Sequence, residues 1–461
     1  MATQASATAR ARALASARRA RKAGSLPPGP RTPPLWQALR WATRPIAWLD
    51  MCSRRYGDCF TLQLPFFPPE VFFSHPDAIK EIFTGDPDQL LAGQANAPLL
   101  GPLVGAGSLL LLDGPRHLRE RRLMLPPFHG ERMQAYGETM RAIATASIDR
   151  WPLGRPISMH QQMVDITFDV ILRTVLGFEE GENVARLRAA LGRLIRLGQN
   201  PVWAWFQVNL SALTRRGRLT RLKALVDQLI FAEIAARRAA PSARSDVVSL
   251  LMEARYEDGS AMSDQDLRDE MITLLAAGHE TTATALAWAI YHILRHPEVT
   301  ERLCDELRSA AGGAPEPAKL EYLDATIKES LRLTPVIPAV GRVLATPMRI
   351  GGRDLPAGVE VVPCVYLTHR RPDVWSKPEQ FRPERFLGAR PHPYAFVPFG
   401  GGVRRCIGMS FALYEMKIVL SEVFSRVAMK LRPGYRARIR TRTITFTPSA
   451  GVPVIIESKR A

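Results

Sequence analysis

The sequence predicts a mainly α protein with a smaller β region, built as one large domain. Three observations predict it. From Arg116 to about residue 334 the apolar residues recur at helical spacing, with few strand signals. Short alternating or β-branched runs lie only near the two ends of the chain. The 461 residues are 46% hydrophobic and 23% charged with a mean hydropathy of -0.08, enough to bury a large core and too apolar for a disordered chain.

Taken in order, residues 1–25 read as a basic, solvated and disordered tail, and the folded unit as 26–461. Residues 1–49 hold nine basic residues and no acid before Asp50, half of the formal net charge of +18. The Ala-, Ser-, Thr- and Arg-rich start also fits an organellar transit peptide. No apolar face is clear enough in sequence to mark an anchor. Leu26–Pro30 must be stiff and extended. A helix follows up to Tyr56, stopped by Gly57. Phe60, Leu62 and Leu64 alternate with Thr61 and Gln63, the period of a half-buried strand, and Val71–Phe73 reads as a second strand. Ser74 is expected to cap a short helix with Pro76 in its first turn, ending near Gly85.

The longest uncharged run, 89–112, could span a bilayer by length alone. Its glycines (Gly93, Gly101, Gly105, Gly107), Pro98 and Pro102 point instead to an irregular apolar loop. Asp113-Gly114-Pro115 then starts a helix. Residues 263–296 form the longest helical candidate, with Ser263 as cap, Asp264 and Asp266 in the first turn and Pro297 at the end. Its apolar stretch carries His279 and Glu280 in the middle, so it reads as a buried helix with a functional break. No transmembrane anchor is expected. Met348–Ile350 and Arg353–Leu355 flank Gly351-Gly352 as a hairpin. Val359–Val365 is a β-branched run interrupted by Pro363, a helix follows Cys406, and the last 25 residues return to strand-like alternation.

A basic balance could serve nucleic acid, an anionic membrane or an acidic protein. Neither zinc-finger spacing nor an RNA-binding aromatic signature is present, so no nucleic-acid partner is expected. The five cysteines (Cys52, Cys59, Cys304, Cys364 and Cys406) are scattered and form no CxxC pair. That argues against a disulfide scaffold or zinc site and for a reducing compartment.

The strongest chemical signal is Phe399-Gly400-Gly401-Gly402-Val403-Arg404-Arg405-Cys406-Ile407-Gly408. The glycines allow tight turns and close approach to a flat ligand. Cys406 sits where a helical pattern begins, where free N–H groups and the dipole would favour a thiolate. This segment resembles the haem-binding loop of the cytochrome P-450 family, with Phe399, Gly402, Arg404, Cys406 and Gly408 at its motif positions. The resemblance implies the fold of that family, haem b as cofactor, Cys406 as the axial iron ligand and Arg404 as a propionate partner. A thiolate ligand favours O–O cleavage.

Ala277-Gly278-His279-Glu280-Thr281-Thr282 is similar to the family's oxygen-binding groove. The match makes Gly278 the groove glycine, Glu280 the proton relay and Thr281 the hydroxyl that holds dioxygen and an ordered water. His279 receives no role. Glu329 and Arg332 stand three apart on one helix face, alone very weak evidence. With Arg385 in Phe381-Arg382-Pro383-Glu384-Arg385-Phe386 they match the family's buried triad, which braces the cysteine loop. His117 and Arg121 share a helix face, crowded by Arg116, Arg119 and Arg122. They read either as an exposed basic helix or, by resemblance, as propionate holders, and Arg342 matches another.

The resemblance covers nearly all of the chain beyond residue 26. It implies a monooxygenase using O2 and electrons from a ferredoxin- or flavodoxin-type donor with its reductase, steered by Arg119 and Arg122. Substrate walls are expected from 92–112, from Ile195–Leu222 with Trp203, Trp205 and Phe206, from Leu274 and Ala277, from Pro335–Val340 and from Phe446–Gly451. Mostly apolar, they imply a hydrophobic substrate such as a fatty acid, terpenoid or steroid-like molecule, although these clusters could equally be ordinary core. A haem-based sensor without turnover is the alternative, against which Glu280 and Thr281 argue. A bacterial cytoplasmic location fits best, with an organellar one open.

Overall fold

The longest helical pattern folds as one helix, Asp264–Arg295, and the rest of the chain is arranged around it. Its 32 residues span about 48 Å. Ser263 Oγ accepts the Asp266 N–H at 3.1 Å, and Pro297 opens the next helix, Pro297–Ser309. The helix is buried over Leu267–Leu275 and from His279 to Ile293 apart from Thr281 and Tyr291. Such a helix needs partners all round. They are Met159–Val170, Glu321–Leu333 and Met409–Arg426. Met159–Val170 runs on into a π-helical turn, Ile171–Val175. A Cβ on Gly278 would lie 2.7 Å from Ile171 Cδ1, so glycine permits that close crossing.

This computed structural model describes residues 26–65, 67–128, 132–178, 181–198, 216–240, 244, 246–309, 319–388, 391–442 and 444–460. The tail 1–25 and the Trp203, Trp205 and Phe206 wall lie outside the described residues.

The principal sheet draws strands from both ends of the chain, as predicted. Its order is Cys59–Leu62, Glu70–Phe73, Glu360–Pro363, Arg342–Leu344 and Leu90–Leu91. Only Glu70–Phe73 and Glu360–Pro363 pair in parallel. The first strand is not half-buried: its alternating polar residues are covered too. Thr61 N–H and Oγ1 donate to the Pro28 and Pro27 carbonyls at 3.0 and 2.7 Å, and Gln63 N–H donates to Gln37 Oε1 at 2.9 Å. The proline-rich segment thus sheathes the sheet edge.

Other expectations need correcting. The first helix is two, Pro34–Thr43 and Pro45–Tyr56, because Pro45 drives Arg44 out of helical geometry (φ -142°, ψ 56°). Gly57 ends the second with φ 82°. Ser74 does not cap Pro76–Thr84; His75 Nδ1 accepts the Asp77 N–H at 3.3 Å, while Ser74 turns inward to Asp58. The 89–112 segment is not an irregular loop but contains the helix Ala92–Val104. Asp113, twenty residues further on, caps it by accepting the Gly93 and Gln94 N–H groups at 2.7 and 2.9 Å. The Gly351-Gly352 hairpin forms as expected. At the C-terminus, Ile439–Arg442 pairs with Thr445–Pro448, and Pro453–Lys459 lies between Pro156–Ser158 and Val427–Leu431. Among the described residues no helix is long and apolar enough to cross a membrane.

Candidate active site

The glycine-rich loop is closed by its own backbone. Gly400 and Gly402 take φ values of 69° and 62°, and the Cys406 N–H donates to the Phe399 carbonyl at 2.9 Å. A Cβ on Gly402 would collide with the Phe83 carbonyl, and one on Gly401 would sit 2.5 Å from Phe83 Cδ2. These two glycines therefore serve close packing on Pro76–Thr84, not the approach of a flat ligand. Gly408 is different: a Cβ there would meet open space. The helix Met409–Arg426 starts three residues after Cys406. Cys406 thus lies before the helix, not at its first residue. Burial pushes its thiol up, and the opposing pull of the Gly408 N–H, Arg121 and Arg405 is smaller. Helix-end stabilisation alone does not make this sulfur a thiolate. Although enclosed by protein, the side chain remains accessible, so it opens onto internal space.

The central helix meets the same description. Within an otherwise buried stretch, Ala276, Ala277, Gly278 and Thr281 are accessible. Thr281 Oγ1 donates to the Ala277 carbonyl at 2.6 Å. Glu280 turns to a different side. Its Oε1 lies 3.8 Å from His160 Nε2 and 3.6 Å from Arg442 Nη1, and His160 Nε2 is also 3.1 Å from Thr284 Oγ1. His279 is structural: Nδ1 donates to the Leu275 carbonyl at 2.8 Å and its ring packs edge-on against Phe168.

Four basic groups converge beside Cys406. His117 and Arg121 project from Gly114–Met124, Arg342 begins its strand, and Arg404 comes from the cysteine loop. The exposed-helix reading fails for His117, which is 2% exposed. Burial, then the charges of Arg404, Arg121 and Arg342, push its pKa down to about 3. Its buried Nδ1 has no hydrogen-bond partner. Burial also lowers Arg342 and Arg404, each to about 10. Arg342 donates to the Gly341 carbonyl at 2.7 Å. Arg404 pairs with Asp113 at 2.5 Å and donates to the Leu109 and Leu112 carbonyls. Asp113 pairs with Arg404 and Glu360 acts on Arg342, so two carboxylates face three guanidiniums and the cluster keeps a positive excess. An orphaned imidazole nitrogen among clustered guanidiniums is the donor set for an anion. An accessible sulfur and the open space at Gly408 accompany it. These features fit a haem with two propionates.

The predicted brace is present. Arg332 donates from Nε and Nη2 to the two oxygens of Glu329 at 2.7 and 2.8 Å, and Arg385 Nε donates to Glu329 Oε1 at 3.2 Å. Both Glu329 and Arg332 are fully buried. Sequence reasoning expected this triad to brace the cysteine loop but missed His369, which connects the two. His369 Nδ1 donates to the Arg332 carbonyl at 3.2 Å, and its Nε2 accepts the Val397 N–H at 2.9 Å. Two further expectations change. Arg119 and Arg122 are exposed but engaged, by Asp258 and Glu257 respectively, and Arg119 stacks on Tyr256. Phe446 is no substrate wall: its ring is buried against Tyr366, and its backbone joins Trp288 and Val336.

Comparison with known proteins agrees over the whole fold. The cytochrome P450 family model matches residues 27–451. Cytochrome P450 135B1 of Mycobacterium tuberculosis is 41% identical over 440 residues, covering 94% of this chain and 92% of that protein. Cytochrome P450 137 of the same organism is 36% identical over 449 residues, 93% and 90% of the two chains. Retinoic acid-bound cyanobacterial CYP120A1 has a TM-score of 0.84 at 26% identity, covering 94% of this chain and 99% of that one. The heme domain of P450DA shares the fold, with a TM-score of 0.83 at 23% identity over 94% and 98% of the chains. With the motif order, the buried triad and the whole-length likeness in agreement, the chain belongs to the cytochrome P450 family of haem b-dependent monooxygenases.

Proposed function

We propose that this monooxygenase acts on a hydrophobic small molecule, such as a fatty acid, terpenoid or steroid-like compound. Cys406 would hold the haem iron through its sulfur. His117, Arg121, Arg342 and Arg404 would hold the propionates, and Phe399, Gly408 and Gly278 would border the haem. Bound there, haem supplies the reductive activation of O2 that delivers one oxygen atom to substrate. The observation that carries the assignment is the unpartnered Nδ1 of buried His117, faced by three arginines beside an accessible Cys406.

The remaining chemistry is proton supply, which the chain's own residues perform. Glu280 stands between Arg442, whose side chain is half exposed, and the helix interior. Its carboxyl takes up protons on the solvent side. Thr281 Oγ1 donates its proton to the Ala277 carbonyl at 2.6 Å and so turns acceptor lone pairs to the internal space, where they hold a proton-donating water. Leu274 and Ala277 from the central helix and Ile337, Ala339 and Val340 give that space an apolar wall. Retinoic acid, the ligand of CYP120A1, has that chemical character. Electrons come from a ferredoxin- or flavodoxin-type donor with its reductase, docking where Val403 and Arg405 are exposed beside Cys406. The mycobacterial relatives support a bacterial protein.

The reduced carbon-monoxide complex should show the red-shifted Soret band of thiolate ligation, and Cys406→Ala should abolish it. Thr281→Ala should keep the band but divert most reducing equivalents to peroxide, lowering coupling roughly tenfold or more. A histidine-type spectrum in the native protein would overturn the ligand assignment.

A further inference from the structure

We propose that the helix Pro34–Thr43 docks the protein peripherally on an anionic bilayer, seating Leu35, Trp36 and Leu39 among the lipids while surrounding arginines hold the headgroups. Leu35, Trp36 and Leu39 are 61%, 59% and 50% exposed. The other large apolar side chains exposed among the described residues (Leu99, Leu118, Leu153, Phe231 and Val403) stand apart along the chain. Single exposed apolar residues are ordinary, whereas a contiguous set marks an interaction face. At 100° per residue these three fall within one arc of about 100°.

The body of the protein holds that arc outward. Gln37, on the opposite side of the helix, is fully buried. It donates to the Pro30 and Thr32 carbonyls at 3.2 and 2.8 Å and accepts the Gln63 N–H at 2.9 Å. The helix cannot roll to hide its apolar side without breaking all three bonds.

Charge selects the occupant. Arg31, Arg40 and Arg44 flank the face, and no acid precedes Asp50. The strand Ile439–Arg442, packed beside this helix, adds Arg440. Residues 1–25 carry six further basic residues and no acid. A second copy would set each basic rim against its own image. The chain's own first 25 residues are equally cationic and hold few large apolar side chains. Anionic lipid satisfies both halves of the surface: an apolar boundary for Leu35 and Leu39, an interfacial level for the Trp36 indole, and negative headgroups for the arginines.

The test is sedimentation of the full-length haem-loaded protein with extruded vesicles. One set is phosphatidylcholine alone and the other contains about a third phosphatidylglycerol, at about 0.05 M and about 0.5 M salt. Binding is expected to the phosphatidylglycerol vesicles at low salt and to weaken at high salt. The Leu35→Ser/Trp36→Ser/Leu39→Ser variant should bind roughly tenfold or more weakly with its carbon-monoxide spectrum unchanged. A variant lacking residues 1–25 should bind more weakly than the full chain yet still distinguish the two lipids. Failure of the native protein to bind either vesicle would overturn the proposal. So would equal binding by the triple variant, which would leave only tail electrostatics. A dimer that the triple variant abolishes, without vesicle binding, would assign the face to a second copy instead.

Discussion

His117 and Glu415 are both buried titratable side chains with orphaned atoms, yet they have opposite meanings. His117 faces three arginines and an accessible sulfur, so its vacant Nδ1 belongs to a binding site. Replacing it with Phe should speed haem loss several-fold, measured as transfer to an acceptor protein. The haem-free fold should be no less stable, because the orphan disappears. Glu415 lies wholly within the helix Met409–Arg426, and neither carboxylate oxygen has a hydrogen-bond partner. Burial raises its pKa well above 4.5. The folded state therefore holds it neutral while the unfolded chain ionises above that pH, so it costs more stability as pH rises. Glu415→Leu should stabilise the protein by about 1–3 kcal/mol near neutral pH and by less at pH 5, read from urea midpoints. At this scale, what the sequence makes legible is chemistry that is local in the chain. Cys406 and Arg404 share one loop, and Glu280 and Thr281 are neighbours. His369 is illegible because its partners, Arg332 and Val397, meet it only after folding.

The helix Ala92–Val104 shows the same limit for an element. Its internal prolines and glycines read as a loop, because the signal that starts it lies outside the segment. Asp113 accepts two of the unpaired N–H groups at its N-terminus and also pairs with Arg404. The following turn is pinned from the central helix. Gly107 N–H donates to Asp269 Oδ2 at 2.7 Å, Leu109 N–H donates to Glu270 Oε1 at 2.6 Å, and Thr273 Oγ1 donates to Ser108 Oγ at 2.7 Å. Gly105, at φ 91°, leaves no room for a Cβ against Asp269. The apolar wall is thus positioned by carboxylates on a neighbouring helix and by one that also touches the cysteine loop. Asp113→Ala should cost about 1–3 kcal/mol and accelerate hydrogen exchange selectively over residues 92–112. Asp113→Asn, which keeps an acceptor but not the charge, should fall between. Uniform exchange changes across the molecule would refute the local cap. In contrast, Asp264–Arg295 is fully legible, since its cap, its period and its terminating proline all lie within the segment.

For the whole molecule, helical periodicity across the middle and strand signals at both ends suffice to give the fold class, because these are statements about pattern. Which polar groups the packed core encloses is a statement about contact, and it governs the response to pH. Burial pushes His292 and His369 each down to about 3 and also lowers His160 and His279. Below pH 6.5 the unfolded chain gains protons at these sites that the folded chain refuses. His292 and His369 each then remove about 1.4 kcal/mol per pH unit down to about pH 3. Glu270 and Glu415 act in the other direction, since burial raises both, and their stability is lost as pH climbs above 4.5. Burial lowers His117 as well and also raises Glu70, Glu120 and Asp50, so between these limits five histidines and five carboxyls oppose each other and stability changes little with pH. Above 6.5 the histidines are spent and only the carboxyls still titrate, so it falls. The urea midpoint of the haem-loaded protein should therefore stay nearly level from pH 5 to 6.5 and decline toward pH 8.5. Glu415→Leu should make the alkaline decline shallower and let the midpoint rise between pH 5 and 6.5. A midpoint that rises through pH 8.5 would mean that these buried carboxyls ionise within the fold.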